Sequence, residues 1–233
     1  MTAAAAGSFT CSGGSPSSPS VIPAGTYASI TVTGFCVPDT GTVKVLKSLT
    51  IAPGAGFLSQ DASSIVTIGG SVDVQKGGML ALGCGPIEDA ACPEGADVTS
   101  NDTIHGNLGS HGAVLLIIHF DKIDGNVGVE GGGGGLSCDS FPFIDFDHNS
   151  IGRNASVTGI QTCWSGFSNN KVGGNVAYTN NQTVLPDGNF VGGNTIARNL
   201  SCSGDSPTPH LSDGFAVPNS VTGHTSGQCA AEI

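Results

Sequence analysis

Basic residues are scarce in this sequence: 7 Lys plus Arg stand against 18 Asp plus Glu, a formal net charge of −11. The few cations form no cluster that could track a phosphate backbone, so a nucleic-acid partner is not expected. Long apolar runs are missing too. The longest, AVLLII at 113–118, is far below the ~20 residues of a membrane-spanning helix. CxxC pairs, HExxH and GxSxG are all absent, which removes the common zinc-site, metalloprotease and nucleophile-elbow readings. GGGGG at 131–135 lacks the terminal Lys and Ser or Thr of a phosphate loop, and SHG at 110–112 is a poor match to Gly-His-Gly. MTAAAAGSFT has neither the charged start nor the apolar core of a signal peptide, so the chain reads as a mature form.

What is abundant is glycine, 37 residues, alongside 38% hydrophobic residues. That hydrophobic share argues against a solvated coil and assigns the glycines to turns. The 8 cysteines, an even number without zinc spacing, point to disulfides and a secreted, extracellular protein.

One short motif recurs: DTIHGNLGS from Asp102, DKIDGNVGV from Asp121, NSIGRNASV from Asn149, NKVGGNVAY from Asn170 and NTIARNLSC from Asn194. Aligned on Asn107, Asn126, Asn154, Asn175 and Asn199, with Ser29, Ser48, Ser71 and His224 as weaker members, the units follow at 19 to 36 residues. Three residues before the anchors stand Val45, Ile68, Ile104, Ile123, Ile151, Val172, Ile196 and Val221. One residue after stand Ile30, Leu49, Val72, Leu108, Val127, Ala155, Val176 and Leu200. Apolar residues return three after the anchor, as at Val129 and Val157. This period-two alternation predicts strand, tight corner, strand in every unit. A further inward column is expected at Ile118, Phe146, Phe167, Val191 and Ala216.

The units keep one polarity and phase, which a hairpin meander would not, so the prediction is an all-β parallel solenoid of about nine coils with long loop insertions. Stacked anchor asparagines would form one ladder. Asp102, Asp121, Asn149, Asn170, Asn194 and Asn219, five residues earlier, would form a second. Gly106, Gly125, Gly174 and Gly223 suit a corner with positive φ, although Arg153 and Arg198 occupy the same place. A single domain is expected over 22–229, with tails at 1–21 and 230–233. The insertions fall between Leu82 and Asn101, Gly131 and Pro142, and Gly204 and Pro218. Among 105 formal connectivities the expected one pairs neighbours: Cys138 with Cys163 and Cys202 with Cys229 after adjacent anchors, Cys84 with Cys92 around one loop, and Cys11 with Cys36 between the N-terminal tail and the first coil. The sequons at Asn154 and Asn199 coincide with anchors expected to be buried, and are read as unused.

With these repeats in view, the chain resembles a right-handed parallel β-helix of the pectate-lyase-like superfold. IDGNVGVEGGGGG and NKVGGNV are similar to uncharacterised secreted actinobacterial β-helix proteins with IGGN repeats. The resemblance implies lyases, hydrolases, adhesins or scaffolds. A lyase would bring Ca2+ held by acidic groups and an Arg or Lys base; otherwise no cofactor or metal is expected.

Column phase supplies one catalytic candidate. His119 and Asp147 are expected to point outward from adjacent coils, with Asp145 the next outward residue, so that Asp147 orients His119. His148 is expected inward, as a core histidine. Thr103, Lys122, Ser150, Lys171, Thr195 and Ser220 form an outward polar strip that could serve as a binding face. Three functional readings stay open: a structural or binding protein for polysaccharide or cell-envelope glycan, a polysaccharide lyase or glycoside hydrolase working at His119, Asp145 and Asp147, and a self-assembling surface scaffold with exposed strand edges. The oligomeric state is left open.

Overall fold

The computed structural model describes residues 6–87, 91–139, 143–211 and 218–232. Three long sheets run side by side, of ten, eight and nine strands, and every pairing within them is parallel. The chain visits them in rotation, giving a parallel β-helix-like solenoid. A unit enters the third sheet, as at Lys122–Ile123, turns into the first at Val127–Glu130, reaches the second at Phe143–Asp147 and returns to the third at Ser150–Ile151. Parallel strands cannot be joined by two-residue hairpins, and the three-sided circuit supplies the crossover.

The inter-coil register follows the sequence columns. Ile68, Ile104, Ile123, Ile151, Val172, Ile196 and Val221 are successive partners in the third sheet. Ile30, Leu49, Val72, Leu108, Val127, Ala155, Val176 and Leu200 are partners in the first. Ile118, Phe146, Phe167 and Val191 are fully buried, as expected; Ala216 lies outside the described residues. One continuous core results, in which each inward side chain packs on its counterparts in the coils before and after. The strand Phe9–Cys11, inside the stretch expected as a tail, pairs with Ile30–Val32 in the first sheet.

Amides line the corners. At the corner between third and first sheets, Asn126, Asn154, Asn175 and Asn199 each donate through Nδ2 to the Oδ1 of the anchor one coil earlier, at 3.0–3.2 Å. Contrary to expectation this corner is open: Asn107, Asn154 and Asn199 are exposed. The buried amides belong to the other row, at the corner between second and third sheets, where Asn149, Asn170 and Asn194 are at most 2% exposed. Each of these donates to the next asparagine and to a strand carbonyl: Ile118, Phe146 and Phe167 respectively.

The glycines before the anchors also differ from expectation. Gly106, Gly125, Gly174 and Gly223 do not have positive φ. A Cβ on Gly125, Gly174 or Gly223 would lie 2.5 Å from the anchor Oδ1 of the preceding coil, which favours glycine there, while Arg153 and Arg198 show that the corner can also take a side chain. Positive φ occurs instead at Phe120, His148 and Asn169, just before the buried row, at 54–58°.

Disulfides join Cys11 to Cys36, Cys84 to Cys92, Cys138 to Cys163 and Cys202 to Cys229, the pairing expected from the coil register. Among the described residues no helix is long and apolar enough to cross a membrane.

Candidate functional site

The outward faces of the three sheets differ in chemistry, and that difference locates the site. The third sheet shows the expected polar strip, with Thr103, Lys122, Ser150, Lys171, Thr195 and Ser220 in register. The first shows small residues such as Gly109, Gly128 and Ser156. The second sheet instead carries Leu58, Met79, Leu115, Ile117, Phe143 and Trp164 outward, all partly exposed, as a lengthwise apolar face. Such a face is uncommon on a soluble surface without a partner. Its residues lie outside the five recurring motifs, whose outward strip belongs to the third sheet.

At one end of this face lies a groove of about 450 Å3, lined by Gln60, Ile117, His119, Phe143, Asp145 and Trp164. Each residue is placed by the pleat. Phe143 and Trp164 are register partners, and their rings meet edge to face at 6.2 Å. Asp145 pairs with Gly166 on the next strand. A Cβ on Gly166 would come within 2.5 Å of Asp145 Oδ1 and 2.8 Å of Trp164 Cζ3, so the indole lies across the glycine beside the carboxylate.

Of the three sequence candidates, the structure brings two together. His119 Nε2 lies 2.8 Å from Asp145 Oδ2, and the histidine side chain is only 5% exposed. Asp147, the register partner of His119, turns elsewhere: it accepts Ser168 Oγ at 2.8 Å and Asn169 Nδ2 at 3.0 Å, and pairs with His148 Nδ1 at 2.9 Å. The expectation that Asp147 orients His119 is therefore corrected. The positive-φ bend directly after Asp147 brings Asn169 and His148 back over it, and Asp145 is left as the acceptor for the imidazole.

His148 is likewise not a core residue. It is exposed, with its ring stacked on Phe120 at 4.7 Å and 11°, because positive φ swings it out of the corner. The Asp147 carboxylate raises its pKa above 6.5, and the same contact helps hold Asp147 below 3.8 against the opposing effect of burial.

Among the described residues no group of three or more His, Cys, Asp or Glu could hold a metal ion. Arg153 and Arg198 are exposed at the glycine-asparagine corner, away from the groove. Tyr178 is inward and fully buried, its hydroxyl donating to Asn189 Oδ1 at 2.9 Å, and takes no part in any outer face.

The groove therefore combines two aromatic faces with an amide, a carboxylate and an imidazole, a set that can stack on apolar ligand surface while exchanging hydrogen bonds with hydroxyls. No protein-family model, no curated protein and no solved structure matches this chain.

Proposed function

We propose that this is a secreted, disulfide-braced right-handed parallel β-helix of the pectate-lyase-like kind that binds a polysaccharide, such as a cell-envelope glycan, in the groove of His119, Asp145 and Trp164. The stack is read as about nine coils, and the two corner rows as asparagine ladders. The carrying observation is Trp164 lying across Gly166 beside the His119–Asp145 pair. Sugar rings present C–H faces to aromatics and hydroxyls to carboxylate and amide groups, and this groove offers both within one wall.

Binding is favoured over cleavage by a count of carboxylates. Glycoside hydrolysis generally requires two carboxyl groups flanking the bond, roughly 5 to 9.5 Å apart. Asp145 is the one carboxylate among the described residues lining the groove, since Asp147 is engaged by Ser168, Asn169 and His148. The acidic chain, and a groove without Lys or Arg among its described lining residues, favour a neutral glycan over a polyuronate.

The test is retention on insoluble neutral glycans, with Trp164→Ala as the comparison. Retention lost in the variant, without new reducing ends or unsaturated product, supports the reading. Product formation by the wild-type chain would replace it with the enzyme reading.

A further inference from the structure

The buried row at the corner between second and third sheets is built on donation. Asn149, Asn170 and Asn194 each use Nδ2 to bond the next side chain and a strand carbonyl. Two positions in this row are aspartates. Asp121 is 2% exposed, and its N–H donates to Asn149 Oδ1 at 2.9 Å, but neither carboxyl oxygen has a hydrogen-bond partner among the described residues. Asp102, also 2% exposed, accepts Val66 N–H at 2.6 Å on Oδ1, while Oδ2 has no partner among the described residues. By register, the acceptors equivalent to those used by Asn149 are the Leu82 carbonyl, one strand before Ile118, and Asn149 Oδ1. An ionised carboxylate presents only lone pairs there, whereas a protonated carboxyl donates as the amide does.

These aspartates sit where the insertion after Leu82 leaves the coil and rejoins it. A Cβ on Gly83 would lie 2.7 Å from Asp121 Oδ1. The two ends of the insertion are tied by Ser100 N–H to Cys84 O at 2.9 Å and Cys84 N–H to Ser100 Oγ at 2.9 Å, directly before Asp102. Further out, Glu94 accepts the N–H groups of Ala62 and Ser63 at 3.1 and 2.8 Å, which requires an ionised carboxylate for full strength.

We propose that Asp102 and Asp121 form a pH-gated joint: as neutral carboxyls they complete the row and seat the base of the 83–101 loop, and their ionisation loosens it. A proton is preferred to a cation because the pair is enclosed and no third acidic or His ligand joins it among the described residues. Among the described residues the charged and titratable groups around it are Asp61, which adds repulsion to Asp102, and Lys122, His119 and His148 at the neighbouring strand ends. Lys122 is bound to Asp124 at 2.8 Å, His119 to Asp145 and His148 to Asp147, so none neutralises the pair.

Burial raises Asp102 from 3.8 to about 7, and burial plus the Asp102 charge raises Asp121 well above 3.8. Carboxyls raised on folding contribute stability that is complete below 3.8 and is lost as pH rises through the folded values. Glu94 is lowered from 4.5 by its backbone bonds, so its contribution is present above 4.5 and lost as pH falls below that. The joint is therefore held best in mildly acid solution and opens on the alkaline side above about 7.

Hydrogen exchange on the intact protein at pH 5 and pH 8, corrected for intrinsic rates, tests this at the amides of Val66, Gly83, Cys84 and Ser100. Wild-type protection there is expected to fall at least tenfold at pH 8, while Asp102→Asn/Asp121→Asn, whose amides fit the row, keeps its protection. Asp205 is raised to about 6 at a different corner, so the local amides, not the global melting profile, are the readout. Equal wild-type protection at both pH values overturns the proposal, as does an equal fall in the variant. Recovery of wild-type protection at pH 8 on adding calcium chloride overturns it in favour of a bound cation.

Discussion

His119 and Asp145 are not register partners, yet their side chains meet at 2.8 Å, diagonally across two strands. The partner that register assigns to His119 is Asp147, which bonds Ser168, Asn169 and His148 instead. The two aspartates of one strand therefore divide into a groove residue and a corner residue, and substitution should separate them. Asp145→Asn is expected to leave the denaturation midpoint nearly unchanged and to weaken glycan retention. Asp147→Ala leaves Ser168 Oγ and Asn169 Nδ2 without their acceptor and is expected to cost about 3 kcal/mol. Urea titration of both variants with glycan retention measured in parallel checks the division; equal loss of stability in the two would contradict it.

The corner pair should also titrate. Asp147 is lowered below 3.8 and His148 raised above 6.5, so its contribution is complete between those ordinary values. It is lost as pH falls through the depressed aspartate value, and again as pH rises through the raised histidine value. Imidazole proton shifts in nuclear magnetic resonance are expected to place the His148 midpoint above 6.5 in the wild type and closer to 6.5 in Asp147→Asn.

Gly166 is the cheapest place to disturb the groove without touching a hydrogen-bonding side chain. A methyl there would lie 2.5 Å from Asp145 Oδ1 and 2.8 Å from Trp164 Cζ3, and the indole is the part able to swing away. Gly166→Ala is expected to keep the fold and displace Trp164. Since Trp164 is the chain's single tryptophan, its emission reports the change directly. An unshifted emission maximum together with full glycan retention would remove Trp164 from the proposed wall.

How much of this was legible in the sequence depends on whether a feature repeats. Ile104, Ile123 and Ile151 recur at one phase of one motif, so their common sheet and burial follow from the alternation alone. Two of the disulfides, Cys138–Cys163 and Cys202–Cys229, follow adjacent anchors in the same way, whereas Cys84–Cys92 closes one loop and Cys11–Cys36 ties the N-terminal stretch to the first coil. The groove does not repeat. It depends on a glycine at position 166 that lets Trp164 lie down, and on a diagonal contact that a column-by-column reading cannot produce. An unbroken strand would put His148 inward by its phase, whereas the chain bends there with φ of 57°.

The two asparagine rows show the same limit and offer a sharp test. Their motifs look equivalent in sequence, but one row is open and the other enclosed. Asn170 donates to Phe146 O and Asn194 Oδ1 at 2.8 and 3.2 Å, and accepts the N–H and Nδ2 of Asn149 at 2.9 and 3.0 Å, all while 1% exposed. Removing that amide strands buried partners that water cannot reach, so Asn170→Ala is expected to cost about 3 kcal/mol or more. Asn175 makes a similar set, donating to Asn154 Oδ1 at 3.0 Å and accepting the N–H and Nδ2 of Asn199 at 3.3 and 3.0 Å, but its partners Asn154 and Asn199 are exposed. Water can replace the lost amide there, and Asn175→Ala is expected to cost about 1 kcal/mol or less. Urea midpoints at matched slope decide the comparison. Equal costs would mean that hydrogen-bond number, and not enclosure, sets the contribution of these rows.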